Sequence, residues 1–168
     1  GTLKPPFRLA EGRTAAELHS TIGALAKTLA PVTLDQMALA RLGGFVAVTP
    51  RGDTTALADL AATLVSDLDD FRAPLSPAEL QRRRASRLTE RQEHLLESWG
   101  YPFVMEEFRF HLTLSGNLSP DQAEQLCSAL APHITPHLPQ PFVINDLCLF
   151  GEATDGMFHI LHRYTLTG

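Results

Sequence analysis

The chain has little of what marks a secreted, membrane-bound or nucleic-acid-coating protein. Its two cysteines, Cys127 and Cys148, cannot form a disulfide framework and fit no metal-ligand spacing. No apolar run is long enough to span a bilayer, so we expect no membrane partner. Asp and Glu (19) outnumber Lys and Arg (14), and the net charge of -5 argues against long nucleic acid as a partner. We expect a reduced, cytoplasmic protein that binds a small ligand.

Motifs for nucleotides and metals are also missing. No glycine-rich loop is followed by the lysine and hydroxyl residue of a P-loop, which argues against nucleoside-triphosphate hydrolysis by that route. His133 and His137 have the spacing of a helical metal pair, but Pro136 lies between them and no third ligand is near. We therefore expect neither a metal nor another cofactor.

An internal repeat organises the remainder of the chain. A strand motif, a turn, a capped helix and a hairpin follow one another twice in the same order. Each helix opens with a capping box, in which a hydroxyl and the side chain three residues later satisfy free amide groups. The first copy has Thr2, a helix over 14–30 and a hairpin over 32–48, and the second has Thr113, a helix from Pro120 and a hairpin over 142–166.

This repeat predicts an α+β fold within a single domain. We expect two pseudo-symmetric β-α-β-β lobes, over about 1–73 and 105–168, whose antiparallel sheets flank a central cleft. The segment over about 74–104 has no counterpart elsewhere in the chain. Its two capping boxes, which begin at Ser76 and Thr89, predict a short helical insertion.

Alternation along the segment from Phe108 to Ser115 predicts a strand with two different faces. One face is apolar and carries Phe108, Phe110, Leu112 and Leu114, and the other carries Arg109, His111, Thr113 and Ser115. In the first copy Thr2 and Lys4 lie on the equivalent polar face. Polar stripes on the strands of two lobes would line a cleft, although a register slip would instead turn His111 into the core.

These stretches resemble the two-histidine phosphoesterases, which carry two His-x-Thr motifs on pseudo-symmetric lobes. The similarity is closest to a bacterial branch of poorly defined function that is associated with phosphonate metabolism. It is carried by Thr2-Leu3-Lys4-Pro5-Pro6-Phe7, Leu42-Gly43-Gly44-Phe45, Phe71-Arg72-Ala73-Pro74-Leu75, Trp99-Gly100-Tyr101-Pro102 and the segment around His111. The family's first histidine would stand just before Gly1, so we expect this sequence to be part of a longer chain rather than an inactive relative.

The resemblance implies a metal-independent phosphodiesterase that acts on a small cyclic phosphate or related phosphodiester. His111 would be one acid or base, and Thr2 and Thr113 would bind the phosphate oxygens. Lys4, Arg109 and Ser115, on the same polar faces, would contact the substrate. Binding of a phosphorylated ligand without turnover is a second reading, and RNA end processing or ligation is a third.

The insertion adds candidate phosphate ligands. It contains five arginines, of which Arg82 and Arg83 are the best candidates to reach the cleft, because a guanidinium group suits phosphate oxygens. A solvated helix face is the alternative for each arginine. Tyr101 follows the insertion and could stack on a base or sugar, although packing is the commoner role of such an aromatic residue.

Overall fold

The computed structural model describes Gly1–Gly168 and confirms the α+β class, with antiparallel sheets and helices in one chain. The helices are α1 (Ala15–Ala26), α2 (Thr55–Asp67), α3 (Pro77–Arg84), α4 (Glu90–Trp99) and α5 (Pro120–Ile134). The strands are β1 (Val32–Leu34), β2 (Gln36–Leu42), β3 (Phe45–Arg51), β4 (Leu112–Thr113), β5 (Phe142–Ile144), β6 (Asp146–Glu152) and β7 (Phe158–Thr165). None of the helices combines the length and apolar character that a membrane crossing requires.

Four of the five helices begin at the capping boxes that the sequence predicts. Thr14, Ser76, Thr89 and Ser119 each accept a hydrogen bond from the amide three residues on, and the side chain at that position accepts one in return. Helix α1 ends at Ala26, four residues before the predicted end. Helix α2 was not predicted; it begins where the Asp53 carboxylate accepts hydrogen bonds from the Thr55 amide and hydroxyl.

The strands form three antiparallel sheets with the orders β2-β3-β4, β6-β7 and β1-β5. The predicted first strand of each hairpin is in fact two strands, because the short segments β1 and β5 leave their hairpins and pair with each other. Thr33 lies opposite Val143 at the centre of this pair. Equivalent segments of the two repeats therefore meet at a pseudo-two-fold axis.

The repeats exchange their helices across this axis. Helix α1 packs on the β6-β7 hairpin of the second repeat, and α5 packs on the β2-β3 hairpin of the first. Each lobe thus combines elements from both repeats, whereas the sequence predicts lobes over the contiguous ranges 1–73 and 105–168. The two lobes also differ, because β3 has strand partners on both sides and β7 has only β6.

One main hydrophobic core joins these elements. It contains 16 buried residues and extends from Leu18 on α1 through Val48 on β3 and Leu57 on α2 to Tyr164 on β7. A smaller cluster of Val65, Leu95 and Val104 attaches the insertion to α2. Through Val48 on β3, the main core holds the β2-β3-β4 sheet, with its His-x-Thr segment, in place.

Candidate functional site

The His-x-Thr segment lies at one edge of the β2-β3-β4 sheet. Leu112 pairs with Val48, and Thr113 pairs with Ala47. Only these two residues form a strand, so the strand is shorter than the predicted 108–115. Phe110 is buried as expected, but Leu114 lies beyond the end of β4 and is 41% exposed, which corrects its assignment to the apolar core face.

His111 is half-buried just before β4, and its ring is held from one side. The Nδ1 atom lies 2.7 Å from the Arg109 carbonyl oxygen, and the ring centroid lies 5.4 Å from that of Phe45. A carbonyl can only accept a hydrogen bond, so Nδ1 carries a proton, and in the neutral form of the ring the lone pair lies at Nε2. This tautomer suits a general base.

Thr113 is exposed on the same sheet. Its register partner Ala47 pairs in turn with Ala40, so the three residues form a row across β4, β3 and β2. Neighbours in such a row share one face of the sheet. Ala47 is fully buried and Ala40 is half-buried, so Thr113 carries the exposed hydroxyl of this row.

Ser115 holds the backbone at the end of β4. Its hydroxyl accepts a hydrogen bond from the Val46 amide at 3.0 Å and donates one to the Gly116 carbonyl at 2.9 Å. The only proton that this hydroxyl could offer a phosphate is therefore already used. In this structure Ser115 supports the strand end, and its contact with substrate stays a prediction.

Lys4 and Thr2 differ in their surroundings. Thr2 is exposed and lies outside any strand. The Lys4 side chain is 9% exposed; its Nζ donates to the Val65 carbonyl at 3.0 Å and lies 3.7 Å from Asp69. Burial lowers the pKa of Lys4 to about 8, although Asp69 partly offsets this effect. These contacts place Lys4 against the end of α2, which corrects its expected place on an open polar face.

The arginines of the insertion are mostly occupied by neighbouring side chains. Arg84 pairs with Glu93 and Glu97, and Arg91 pairs with Glu106. Two predicted binding residues do meet, because the Arg83 guanidinium lies 4.7 Å from the Tyr101 ring centroid. Such cation–π stacking restrains both groups. Arg82 is exposed and takes part in no ion pair of the structure.

A cavity of about 350 Å³ lies between the β2-β3 hairpin, α2 and the segment before β4. Three arginines line it, and no acidic residue does. The sequence prediction included Arg109 but missed the other two, because no motif links them along the chain. The polar lining residues are Arg41, Arg51, Arg109, Thr49 and Thr54.

A second cluster of titratable groups lies on the other lobe. The Tyr164 hydroxyl is 2.7 Å from His19 Nδ1, and the His19 and His162 ring centroids are 4.7 Å apart. These side chains line a cavity of about 590 Å³ between α1 and β7. The cluster belongs to the β6-β7 sheet and does not join His111 and Thr113. No group of three or more His, Cys, Asp and Glu side chains is arranged to hold a metal ion.

Comparison with known proteins identifies the family of this chain. Residues 2–159 match the family described as "Protein of unknown function (DUF1045)", and the chain belongs to it. It is also similar to two proteins named "Ribose 1,5-bisphosphate phosphokinase PhnN". The one from Laribacter hongkongensis is 36% identical over 155 residues, which are 92% of this chain and 35% of that protein.

The other relative, from Janthinobacterium sp., is 38% identical over 117 residues, which are 70% of this chain and 26% of that protein. The chain thus corresponds to between a quarter and about a third of the length of these relatives. These relatives extend well beyond the region that they share with this chain.

Proposed function

We propose that this domain is a metal-independent phosphodiesterase that opens a small cyclic phosphate by histidine acid-base catalysis. The observation that carries the proposal is the arrangement of His111 and Thr113: a histidine held through Nδ1 stands beside an exposed hydroxyl on one sheet edge. The resemblance to the two-histidine phosphoesterases gives both residues roles in phosphate chemistry.

In the proposed reaction, neutral His111 takes a proton from water through Nε2 as the water oxygen attacks phosphorus. One ring P–O bond breaks, and the leaving sugar oxygen receives a proton from a second acid. Thr113 donates a hydrogen bond to a non-bridging oxygen, where negative charge is concentrated. The reaction can equally be written with His111 as the acid and the second group as the base.

We place the second acid-base group at the position of the first repeat that is equivalent to His111. The repeat supports this position, because β4 lies beside β3 and the equivalent strand would lie beside β7. That edge of β7 has no strand partner.

The names of the relatives support a sugar phosphate as the substrate class. A ribose-derived cyclic phosphate, formed during phosphonate breakdown, fits both those names and the resemblance. We assign the phosphokinase activity in the name to the parts of those relatives that lie outside the shared region, because this chain has no P-loop sequence.

Binding without turnover is the alternative function of the same site. It is favoured by the contacts of His111, whose ring meets Phe45 and the Arg109 carbonyl but forms no hydrogen bond with a second titratable side chain. In that case the cleft would hold a phosphorylated ligand and signal its presence.

The test is turnover of ribose cyclic phosphates and nucleoside 2',3'-cyclic phosphates by the native-length protein. We expect His111→Ala to lower kcat by at least about a hundredfold and Thr113→Val to lower it by about tenfold or more. His94→Ala, which removes an exposed histidine of α4, is the matched control and should retain full activity. Full activity of His111→Ala would refute the assignment, and saturable binding without turnover would favour the alternative.

A further inference from the structure

The arginine-lined cavity beside the His-x-Thr segment is locally positive, although the chain as a whole is negatively charged. The whole protein has a net charge of -5, yet Arg41, Arg51 and Arg109 line this cavity without any acidic residue. None of the three belongs to an ion pair of the structure, whereas five other arginines do. Unpaired guanidinium groups around one cavity create a positive potential that attracts an anion.

The acids nearest to these arginines in sequence, Asp53 and Glu107, do not pair with them, and the Glu107 carboxylate accepts a hydrogen bond from Gln92 Nε2 at 3.0 Å. The Asp53 carboxylate accepts hydrogen bonds from the Thr55 amide at 2.9 Å and from the Thr55 hydroxyl at 2.6 Å. Thr54, next to it, lines the cavity, and its side chain makes no capping hydrogen bond to α2. The cavity therefore offers hydroxyl donors as well as guanidinium groups.

The position of the cavity connects it to the proposed catalytic face. Ala40 lines the cavity and stands in the same cross-strand row as Ala47 and Thr113. Thr49 and Arg51 follow Ala47 at alternate positions of β3, so they share that face of the sheet. Arg41, opposite Val46, belongs to the other face and lines the cavity from the edge strand β2. Arg109 belongs to both places, because it lines the cavity and its carbonyl orients His111.

The geometry points to a second phosphate-binding subsite, formed by Arg41, Arg51 and Arg109, that holds a phosphate other than the one at His111. The inference rests on the proposed function, because it takes the reacting phosphate to lie at His111. The substrate class is then a cyclic phosphate of a sugar that carries a second phosphate group. A volume of about 350 Å³ accommodates a phosphate together with part of a sugar.

The experiment compares two ligands that differ only in the second phosphate. Adenosine 2',3'-cyclic phosphate is titrated into this chain by calorimetry with either a hydroxyl or a phosphate at its 5' position. We expect the 5'-phosphorylated form to bind at least about tenfold more tightly, since charge-assisted hydrogen bonds to guanidinium groups are strong. This advantage should decrease as salt is added.

Arg51→Gln and Arg41→Gln are expected to reduce the affinity for the 5'-phosphorylated form by about tenfold each and to leave the hydroxyl form unchanged. Arg51→Lys keeps the charge and should recover part of the loss. Arg87→Gln is the matched control, because Arg87 is exposed and outside the cavity; it should change neither affinity. Thermal unfolding of each variant verifies that it folds.

Equal affinity for the two forms, absence of binding of the phosphorylated form, or an advantage that survives in both Arg→Gln variants would overturn the subsite. Because binding needs no turnover, the two proposals can fail separately. Arginine-dependent binding without His111-dependent hydrolysis would reject the phosphodiesterase only. Hydrolysis that depends on His111, with no effect of either Arg→Gln variant on binding, would reject the subsite only.

Discussion

Lys4 makes the folding stability depend on pH in a direction that can be worked out from its surroundings. Its side chain is 9% exposed, and burial lowers the pKa from its ordinary value of 10.5 to about 8, a change that the nearby Arg72 cation reinforces and Asp69 opposes. In the unfolded chain the lysine is solvated and keeps its ordinary pKa. Between about pH 8 and 10.5 the unfolded state therefore binds more protons than the native state.

Stability rises with pH wherever the unfolded state binds more protons. Below pH 8 Lys4 is charged in both states, and the native state bears the full cost of the buried charge. As the pH increases, the native lysine loses its proton first and this cost is removed. With pKa values of about 8 and 10.5, the contribution of Lys4 to the free energy of unfolding should rise by about 2 kcal/mol between pH 7 and 9.5.

The assay is urea unfolding of the wild-type chain and of Lys4→Met at several pH values over this range. The difference between the two proteins isolates Lys4, because all other titrating groups are shared. Lys27→Met removes the other lysine, which is exposed at the end of α1, and should show no such trend. A wild-type minus Lys4→Met difference that stays constant from pH 7 to 9.5 would refute the reasoning.

Three further predictions follow from packing, capping and ion pairing. Leu57→Ala should lower the free energy of unfolding by about 2–5 kcal/mol in urea titration, because the side chain is fully buried in the main core; a loss below 1 kcal/mol would contradict that packing. Ser119→Ala removes the hydroxyl that accepts from the Gln122 amide and should cost about 1 kcal/mol, with Ser119→Asp close to wild type. Arg8→Gln should raise the pKa of Glu79 from about 2 toward its ordinary 4.5 in an NMR titration, since hydrogen bonds from Arg8 are the main cause of the low value; an unchanged pKa would show that Ser76 alone sets it.

Local features of the fold could be predicted because their causes are local. A capping box needs only residues three positions apart, and all four predicted boxes begin helices. The order of elements in the repeat is likewise written along the chain. Helix α2 could have been predicted from the spacing of its apolar residues and from Asp53 before it, but it lies outside the repeated pattern that guided the prediction.

The exchange of helices and the β1-β5 pair depend on contacts between residues far apart in the chain, such as Thr33 and Val143. Nothing in the local sequence distinguishes a helix that packs on the hairpin of its own repeat from one that packs on the hairpin of the other repeat. Strand periodicity placed Val32 to Leu42 on one strand, because it could not show that the chain bends at Asp35 to reach a different partner.

In the candidate site, too, local features could be predicted and long-range contacts could not. Alternation predicts a buried Phe110 and an exposed Thr113, as the structure shows. It cannot show that the Ser115 hydroxyl accepts a hydrogen bond from the Val46 amide, or that Lys4 donates one to the Val65 carbonyl. Arg41 and Arg51 meet Arg109 only after the hairpin folds against α2. The proposed phosphate subsite therefore had no signal in the sequence that short motifs could detect.

Because α1 and α5 each pack on the hairpin of the other repeat, the chain cannot be cut into two independently folded halves. A cut within the insertion would release two pieces, each with a helix that has lost its sheet and a hairpin that has lost its helix. Neither piece would be a domain, and each would expose apolar surface until it found the other. A single repeat could satisfy these contacts only with a second copy of itself. The chain is thus built like a two-fold dimer whose subunits have been joined by the segment 74–104, with β1 and β5 as its interface.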